Sequence, residues 1–149
     1  MGANGVTVSR AKHLVPTDVQ TLPFPGFPTD MQAQFMTLEC MADGTSYITE
    51  NVFENRFMLV AELVRMGADI HVEERHALVR GPVRLSGAPV KSPDLRGGAA
   101  LVLAGLVADG TTYVSGTHHI ARGYERFTDK LAAVGASCCH VELPDEDEG

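Results

Sequence analysis

The stretch "ADGTSYI", Ala42–Ile48, returns almost unchanged as "ADGTTYV", Ala108–Val114, and this duplication decides the fold. Two further pairs of segments match at a similar spacing: "PTDM" at Pro28–Met31 with "SPDL" at Ser92–Leu95, and "MGADIHVE" at Met66–Glu73 with "VGASCCHVE" at Val134–Glu142. The paired segments lie 64 to 68 residues apart. This period is too long for a solenoid repeat and is typical of one compound supersecondary unit used twice.

Each copy of the unit predicts the same order of helices and strands. A helix over about Thr29–Met41 or Pro93–Ala108 ends at the "ADG" tripeptide, whose glycine can take a left-handed conformation. A β-branched strand follows, "TSYIT" or "TTYVS", and then an amphipathic helix. The apolar residues on one face of that helix are Phe57, Val60, Leu63 and Met66 in the first unit, and Phe127, Leu131 and Val134 in the second. A returning strand closes each unit, "DIHVE" or "SCCHVE", and the first unit adds a hairpin partner, "HALVRG".

This alternation predicts an α/β (α+β) protein built from repeated βαβαββ units. We expect residues 1–20 to form a lead-in with one more strand in "NGVTVSR", residues 21–85 to form the first unit, and residues 86–142 the second. Residues 143–149 carry a run of acids after a proline and are expected to be a disordered tail. The chain is predicted to form one domain.

Composition narrows the class of protein. The chain has 149 residues, of which 44% are apolar, and this is enough for one domain with a hydrophobic core. No apolar run approaches the ~20 residues that a membrane span needs, and the opening residues carry no targeting signal, so we expect a cytoplasmic protein without membrane contact. The net charge of −7, with only 12 basic residues, argues against a nucleic-acid partner.

The cysteines and histidines do not form a metal-binding pattern. An odd number of cysteines, Cys40, Cys138 and Cys139, without CxxC spacing predicts reduced thiols. On a strand, Cys138 and Cys139 would point to opposite faces, one buried and one exposed. The chain has no HExxH motif, and His118 and His119 are adjacent in the sequence. We therefore predict neither a metal nor a cofactor.

The stretch "LPFPGFPTDMQAQF", Leu22–Phe35, places a rigid, proline-rich approach directly before Asp30. Asp30 and its repeat counterpart Asp94 both stand at helix starts, where a carboxylate can accept a main-chain N–H as an N-cap. For Asp94 this role is sufficient. For Asp30 two interpretations stay open: a cap, with Thr29 as the rival, or a carboxylate held at a fixed point for chemistry.

Three arginines stand at loops or helix starts of the repeated units. Arg56 and Arg122 each lie twelve residues after the glycine of an "ADG" tripeptide, in the loop before a second helix. Arg96 lies in the first turn of its helix and is followed by Gly97 and Gly98, whose N–H groups would be open to a close approach. Arginines and bare amides at a helix start would form an anion site. The alternative is that these arginines pair with surface acids: Glu54, Glu125 or Asp94.

Four longer segments resemble a known family: "PGFPTDMQAQFM", "ITENVFENRFM", "DLRGGAALVLAGLVADG" and "ARGYER". Over about Val19–Val141 the chain closely resembles the C-terminal part of the UDP-N-acetylglucosamine 1-carboxyvinyltransferases, the MurA enolpyruvyl transferases of peptidoglycan synthesis. The shikimate-pathway enolpyruvyl transferases are more distantly similar. The resemblance implies an inside-out α/β barrel of threefold-repeated βαβαββ units, of which this chain would form a partial domain.

The resemblance also implies roles at matching positions. Asp30 matches the carboxylate that contacts the sugar 3-hydroxyl and is proposed to act as general base. Val52 matches a main-chain contact to the UDP-sugar. Arg96 and Arg122 match the arginines that bind the carboxylate and phosphate of phosphoenolpyruvate, and Arg56 matches a further arginine of the cleft. With Asp30 as base or substrate anchor, Thr29 is expected to cap the helix.

The chain also departs from the family pattern. The family's Lys-Asn pair and its loop with a reactive cysteine belong to a part that is absent here, and no cysteine of this chain lies in a matching context. Gly97 and Gly98 replace the usual Ala-Ser, and Ala121 replaces an Asp. We therefore predict the C-terminal portion of an enolpyruvyl transferase that requires its missing N-terminal half or a homo-oligomer. The alternative is a non-catalytic nucleotide-sugar-binding or assembly module.

Overall fold

The computed structural model describes residues 7–9 and 11–142. The strands are β1 (Val19–Gln20), β2 (Gly44–Thr49), β3 (Asp69–Glu73), β4 (His76–Gly81), β5 (Pro89–Lys91) and β6 (Tyr113–Ser115). The helices are α1 (Gln32–Glu39), α2 (Val60–Arg65), α3 (Leu95–Val107), α4 (His118–Ala121) and α5 (Phe127–Ala133), with 3₁₀ turns at Thr29–Met31 and Arg56–Leu59. Most of the strand predicted in "NGVTVSR" lies outside the described residues, as does the predicted acidic tail, and residues 7–9 form no strand.

The strands form two sheets that repeat one arrangement. In the larger sheet, of order β1-β2-β4-β3, β1 is parallel to β2, and β4 runs antiparallel to both β2 and β3. In the smaller sheet β5 is parallel to β6, with Val90 opposite Val114. Each parallel pair is connected through a helix, α1 in the first unit and α3 in the second. The predicted α/β repeat is confirmed. The sequence analysis missed both β1 and its counterpart β5, since the strand before the first unit was predicted in "NGVTVSR".

The core lies where α1, α2 and α3 pack against each other and against the larger sheet. The predicted apolar face of α2 is confirmed, since Leu63 and Met66 are fully buried and Val60 is 8% exposed. The largest buried apolar side chains around them are Met36, Ile48, Leu59, Val79, Leu85 and Leu101. Burial of this kind contributes about 25 cal/mol per Å² of apolar surface, so this cluster is the main source of stability.

The second unit is less complete than the sequence predicted. The segment "SCCHVE" does not form a strand, and Val134, predicted on an inner helix face, is 82% exposed. The reason is the missing partner: in the first unit β3 pairs with β4, whereas no hairpin strand follows α5 among residues 136–142. An unpaired strand leaves its main-chain groups unsatisfied, so neither the strand nor the packing face beneath it forms.

The described residues form a partial α/β domain, and within them the sheets do not close into a barrel. Helices α1 and α3 pack against each other, and the starts of both helices line one small cavity together with Arg56, which lies in the loop after β2. Several of the residues singled out by the sequence line that cavity. In the described part of the chain, no helix has both the length and the apolar content to cross a membrane.

Candidate active site

Asp30 and Arg96 meet although they lie in different repeat units. Nη2 of Arg96 is 2.7 Å from Oδ1 of Asp30, so the 3₁₀ turn before α1 is joined to the first turn of α3. The Asp30 side chain is 61% exposed and the Arg96 side chain 32% exposed. Both groups are therefore accessible from solvent, and the ion pair brings a carboxylate and a guanidinium together at the starts of α1 and α3.

Arg56 lies beside this pair and is more deeply buried. Its guanidinium stacks over the ring of Phe53 at 4.5 Å from the centroid, and Nη1 is 3.8 Å from Oδ2 of Asp94. The side chain of Arg56 is 14% exposed. The predicted alternative, a surface pair with Asp94, is thus present for Arg56 as a long contact, while Glu54 and Glu125 contact other basic residues.

A small cavity of about 10 Å³ lies between the two helix starts and is lined by Thr29, Gln32, Arg56 and Arg96, among others. Gln32 is 1% exposed, and both its amide nitrogen and its amide oxygen have no hydrogen-bond partner among the described residues. The same holds for Nε of Arg56. Buried polar groups of this kind are normally satisfied by a bound water or a ligand.

Asp94 caps α3, as the sequence predicted, and the two neighbouring glycine N–H groups donate to it. Oδ1 of Asp94 accepts the N–H of Gly97 at 2.7 Å, and its main-chain oxygen accepts the N–H of Gly98 at 2.9 Å. The expectation of bare amides at this helix start is therefore wrong, because the cap already uses both donors. The positive charge of Arg96 is what this helix start offers to an anion.

The prediction that Thr29 caps α1 is also wrong. The 3₁₀ turn begins after Pro28 without a side-chain cap, and Oγ1 of Thr29 instead donates to Oε2 of Glu50 at 3.0 Å. A carboxylate is a strong acceptor, and the hydroxyl of Thr29 points toward Glu50 as a donor and does not accept an N–H of the turn. Asp30 does not cap this turn either and is free for the contact with Arg96.

Arg122 is exposed at the end of α4, and its segment is held against both helices that carry the other site residues. A Cβ atom built on Gly123 would lie 2.7 Å from Cδ2 of Leu95, and Nε2 of Gln34 donates to the hydroxyl of Tyr124 at 3.3 Å. Among residues 11–142, Arg122 forms no ion pair with Asp30, whose carboxylate contacts Arg96. The structure therefore brings the segment of Arg122 to the site without a direct contact between the charged groups.

Positive charge gathers around His119, close to Arg122. Partial desolvation, and then the charges of His118 and Arg122, lower the pKa of His119 below its usual 6.5, with Lys91 acting in the same direction. Asp94 opposes this shift. Desolvation is the first cause of this shift, and the nearby positive charges act in the same direction.

Val52 lines an open depression of about 550 Å³ together with Phe53, Met58, Arg56 and Asp94. The volume falls in the range of small-molecule sites, about 300–1,000 Å³. Arg56 and Asp94 also line the small cavity beside Arg96, so the two concavities adjoin. Val52 and Arg96 thus line adjoining concavities, and Arg56 lines both.

Comparison with known proteins identifies the family. The family described as EPSP synthase (3-phosphoshikimate 1-carboxyvinyltransferase) matches residues 2–131. The chain belongs to this family. A UDP-N-acetylglucosamine 1-carboxyvinyltransferase of Gloeobacter violaceus is 57% identical over 136 residues, which cover 91% of this chain and 30% of that protein. The protein of the same name from Nitratidesulfovibrio vulgaris is 66% identical over 120 residues, covering 80% of this chain and 29% of that protein.

Solved structures agree with the assignment. The enolpyruvyl transferase NikO from Streptomyces tendae superposes with a TM-score of 0.87 at 32% identity, covering 97% of this chain and 34% of that one. EPSP synthase from Acinetobacter baumannii has a TM-score of 0.62 at 22% identity over 68% of this chain, which shows a common fold. The predicted resemblance and fold are confirmed. The chain spans about 30% of the length of the curated relatives it matches.

Proposed function

We propose that this chain is the C-terminal portion of an enolpyruvyl transferase that moves the enolpyruvyl group of phosphoenolpyruvate to the 3-hydroxyl of UDP-N-acetylglucosamine. The proposal includes turnover only with the remaining portion, a cytoplasmic location and a place in peptidoglycan synthesis. It also keeps the predicted division into units at residues 21–85 and 86–142. The names of the relatives support the reaction class, and the site geometry supports the assignment of roles.

The single observation that carries the proposal is the contact between Asp30 and Arg96 at 2.7 Å. A carboxylate that must accept a hydroxyl proton and a guanidinium that must bind an anion have to stand side by side if both reactants meet in one cleft. The pair joins residues 66 positions apart, one from each repeat unit. Arg56 and the main chain of Val52 line the adjoining depression, where the nucleotide part of the sugar would lie.

In the proposed reaction the sugar hydroxyl oxygen forms a bond to the carbon of phosphoenolpyruvate that carries the phosphate ester. The bond between that carbon and the ester oxygen breaks, and inorganic phosphate leaves. Asp30 accepts the hydroxyl proton, and the departing phosphate takes up a proton in its place, so the step is balanced. Arg96 and Arg122 bind the carboxylate and the phosphate, for which guanidinium forks are suited.

The test mixes this chain with a chain that carries the part of the Nitratidesulfovibrio vulgaris relative that it lacks, and measures phosphate release from phosphoenolpyruvate. In Asp30→Asn we expect release to fall by about 100-fold or more, because a general base contributes roughly 10²–10⁴-fold. The free energy of unfolding should change by no more than about 1 kcal/mol, because the ion pair is largely exposed.

The matched control is Asp69→Asn. Asp69 also pairs with an arginine, Arg80, at 3.3 Å, and it lies on β3, on the exposed outer strand of the larger sheet. Asp69→Asn should leave phosphate release unchanged. Equal losses in both variants, or no release by the wild-type mixture at saturating substrate, would contradict the proposal. Binding of UDP-N-acetylglucosamine without any turnover would instead support a nucleotide-sugar-binding module.

The proposal also includes association with a partner. The chain leaves apolar side chains open on several surfaces, with Val107 57% and Val134 82% exposed. Exposed apolar patches of this sort favour association. We expect a homo-oligomer or a complex with the remaining portion, and sedimentation at micromolar concentration should show a species larger than the monomer. A monomer alone would contradict this part of the proposal.

A further inference from the structure

Glu50 is a buried carboxylate that the proposed reaction does not use. It directly follows β2 and is 1% exposed. Its Oε1 accepts three hydrogen bonds: from Oγ1 of Thr21 at 2.8 Å, from the N–H of Val52 at 2.9 Å and from the N–H of Phe53 at 3.1 Å. Its Oε2 accepts a fourth, from Oγ1 of Thr29 at 3.0 Å. Within the described residues it forms no ion pair, so neutral donors alone satisfy the carboxylate.

These four bonds join two segments that are far apart in the sequence, residues 21–29 and residues 50–53. Thr29 is the residue before Asp30, the proposed base, and Val52 is the proposed main-chain contact of the sugar nucleotide. Thr21 begins the proline-rich approach and also accepts the N–H of Asn51 at 2.9 Å through the same hydroxyl. One buried side chain therefore sets the distance between the turn that carries the base and the loop that lines the depression.

We infer that Glu50 is a positioning residue, which holds the loop at Val52 and Phe53 and the turn at Thr29 in the relative placement that the proposed substrates require. The inference rests on the proposed function and deepens it. The inference also assigns the main-chain atom of Val52 that faces the ligand. Because the N–H of Val52 donates to Glu50, the carbonyl oxygen of Val52 is the atom that can accept a hydrogen bond from the sugar nucleotide.

A carboxylate suits this position better than an amide because every group that faces it is a donor. Glu50→Gln can present its oxygen to the three donors at the Oε1 position, and its NH₂ group then faces the hydroxyl of Thr29. That hydroxyl must rotate and accept from the neutral amide, so the turn before Asp30 is held less firmly than by the carboxylate, while the Val52 loop keeps most of its placement. Glu50→Ala removes both connections.

The first test is independent of catalysis and uses the chain alone. Amide hydrogen exchange is followed by NMR for Val52 and Phe53, with the β2 amide of Ile48 as the internal reference. In Glu50→Ala we expect the two loop amides to exchange at least about tenfold faster relative to that reference, and in Glu50→Gln we expect a smaller change. Unchanged exchange in both variants overturns the positioning role, whatever reaction the protein performs.

The second test measures phosphate release in the mixture with the complementary portion. Glu50→Gln should lower kcat by about 10- to 100-fold while KM for UDP-N-acetylglucosamine changes less than threefold, because a small misplacement of a reacting group costs this much. Thr29→Val removes the hydroxyl that donates to Glu50 and should likewise lower kcat while leaving KM for UDP-N-acetylglucosamine nearly unchanged. The double variant should be no slower than the worse single variant, since both changes break one connection.

Glu39→Gln is the control for the loss of any buried carboxylate. Glu39 is 3% exposed and accepts hydrogen bonds from the N–H of Thr17 and from the hydroxyl of Ser46, at the opposite end of α1 from Asp30. It should leave kcat unchanged even if it destabilises the fold. Equal kcat losses in Glu39→Gln and Glu50→Gln, or additive effects of Glu50→Gln and Thr29→Val, would overturn the inference.

The two proposals fail in different ways. If the wild-type mixture releases no phosphate, the proposed function is refuted, and the exchange experiment alone decides whether Glu50 holds the loop. If the mixture is active and the Glu50 variants match the wild type in kcat, the proposed function stands and the positioning role of Glu50 is refuted.

Discussion

Gly98 lies in the first turns of α3, at a point where the structure has no room for a side chain. A Cβ atom built there would overlap Oγ of Ser92 and would lie 2.8 Å from Cγ1 of Ile120 and 2.9 Å from Cβ of Ser92. Ser92 is 1% exposed and Ile120 is 5% exposed, so neither can move into solvent. Gly98→Ala is therefore expected to destabilise the protein, although alanine favours a helix.

The magnitude follows from three contributions. Rotating the Ser92 side chain away breaks its hydrogen bond to the main-chain oxygen of Asp94, 3.0 Å long, which costs about 1 kcal/mol. Overpacking against Ile120 costs about 1–3 kcal/mol. Replacing a helical glycine by alanine returns about 1 kcal/mol. We expect Gly98→Ala to lower the free energy of unfolding by about 1–3 kcal/mol.

Urea unfolding of the isolated chain measures this change, with Gly105→Ala as the matched helical control. The nearest atom to a Cβ on Gly105 is Cβ of Thr112 at 3.1 Å, so we expect a change within about 1 kcal/mol. Ser92→Ala combined with Gly98→Ala should cost less than the sum of the two single variants, because the first removes the overlapping oxygen. A Gly98→Ala protein as stable as the wild type would refute the packing argument.

Two further predictions concern titratable groups. Burial raises the pKa of the Cys40 thiol from 9.0 to about 12, so a thiol reagent at pH 8 should modify the exposed Cys139 and reach Cys40 only in urea. Because the folded pKa of Cys40 is the higher one, the associated stability is intact below pH 9 and should fall as pH rises from 9 toward 12, an effect that is absent in Cys40→Ala. An NMR titration should give His119 a pKa below 6.5, and Arg122→Gln should raise it, since that arginine is one of the charges that lower it. A rapid reaction of Cys40 in the folded protein, or a His119 pKa unmoved by Arg122→Gln, would contradict these arguments.

The departure of Gly97 and Gly98 from the family pattern has a structural counterpart. Both residues are buried, and a Cβ atom on Gly97 would lie 2.8 Å from Cγ of Pro93. The start of α3 is therefore packed more closely on Ser92 and Pro93 than an Ala-Ser pair would allow. This packing, rather than open amides for an anion, is what the two glycines provide in this chain.

Much of the fold could be predicted because its signals are local or repeated. The hydrophobic face of α2, the glycines with positive φ at Gly44 and Gly110, and the N-cap at Asp94 each depend on a few neighbouring residues. Because the two units match in sequence, the structure predicted for the first unit could be applied to the second. This prediction failed at "SCCHVE", because a strand depends on a partner that the local pattern does not contain.

The sequence singled out the candidate site residues but not the polar residues that hold them in place. Asp30, Val52, Arg56, Arg96 and Arg122 stand out in the sequence through the family resemblance and the repeat positions. Their roles stay predictions until the variants are measured. The residues that hold them in place are ordinary polar residues, Glu50 and Gln32 among them, and the available signal for Glu50 was only that an acid directly follows a strand.

The sequence by itself determined the duplicated unit, most of its helices and the family, because spacing and residue type are properties of the chain. Only the tertiary structure decided that Asp30 contacts Arg96, that Thr29 turns to Glu50, and that the amides of Gly97 and Gly98 are already used. A hydrogen-bond donor takes the best acceptor within reach, and which acceptor is within reach is settled when the helices pack.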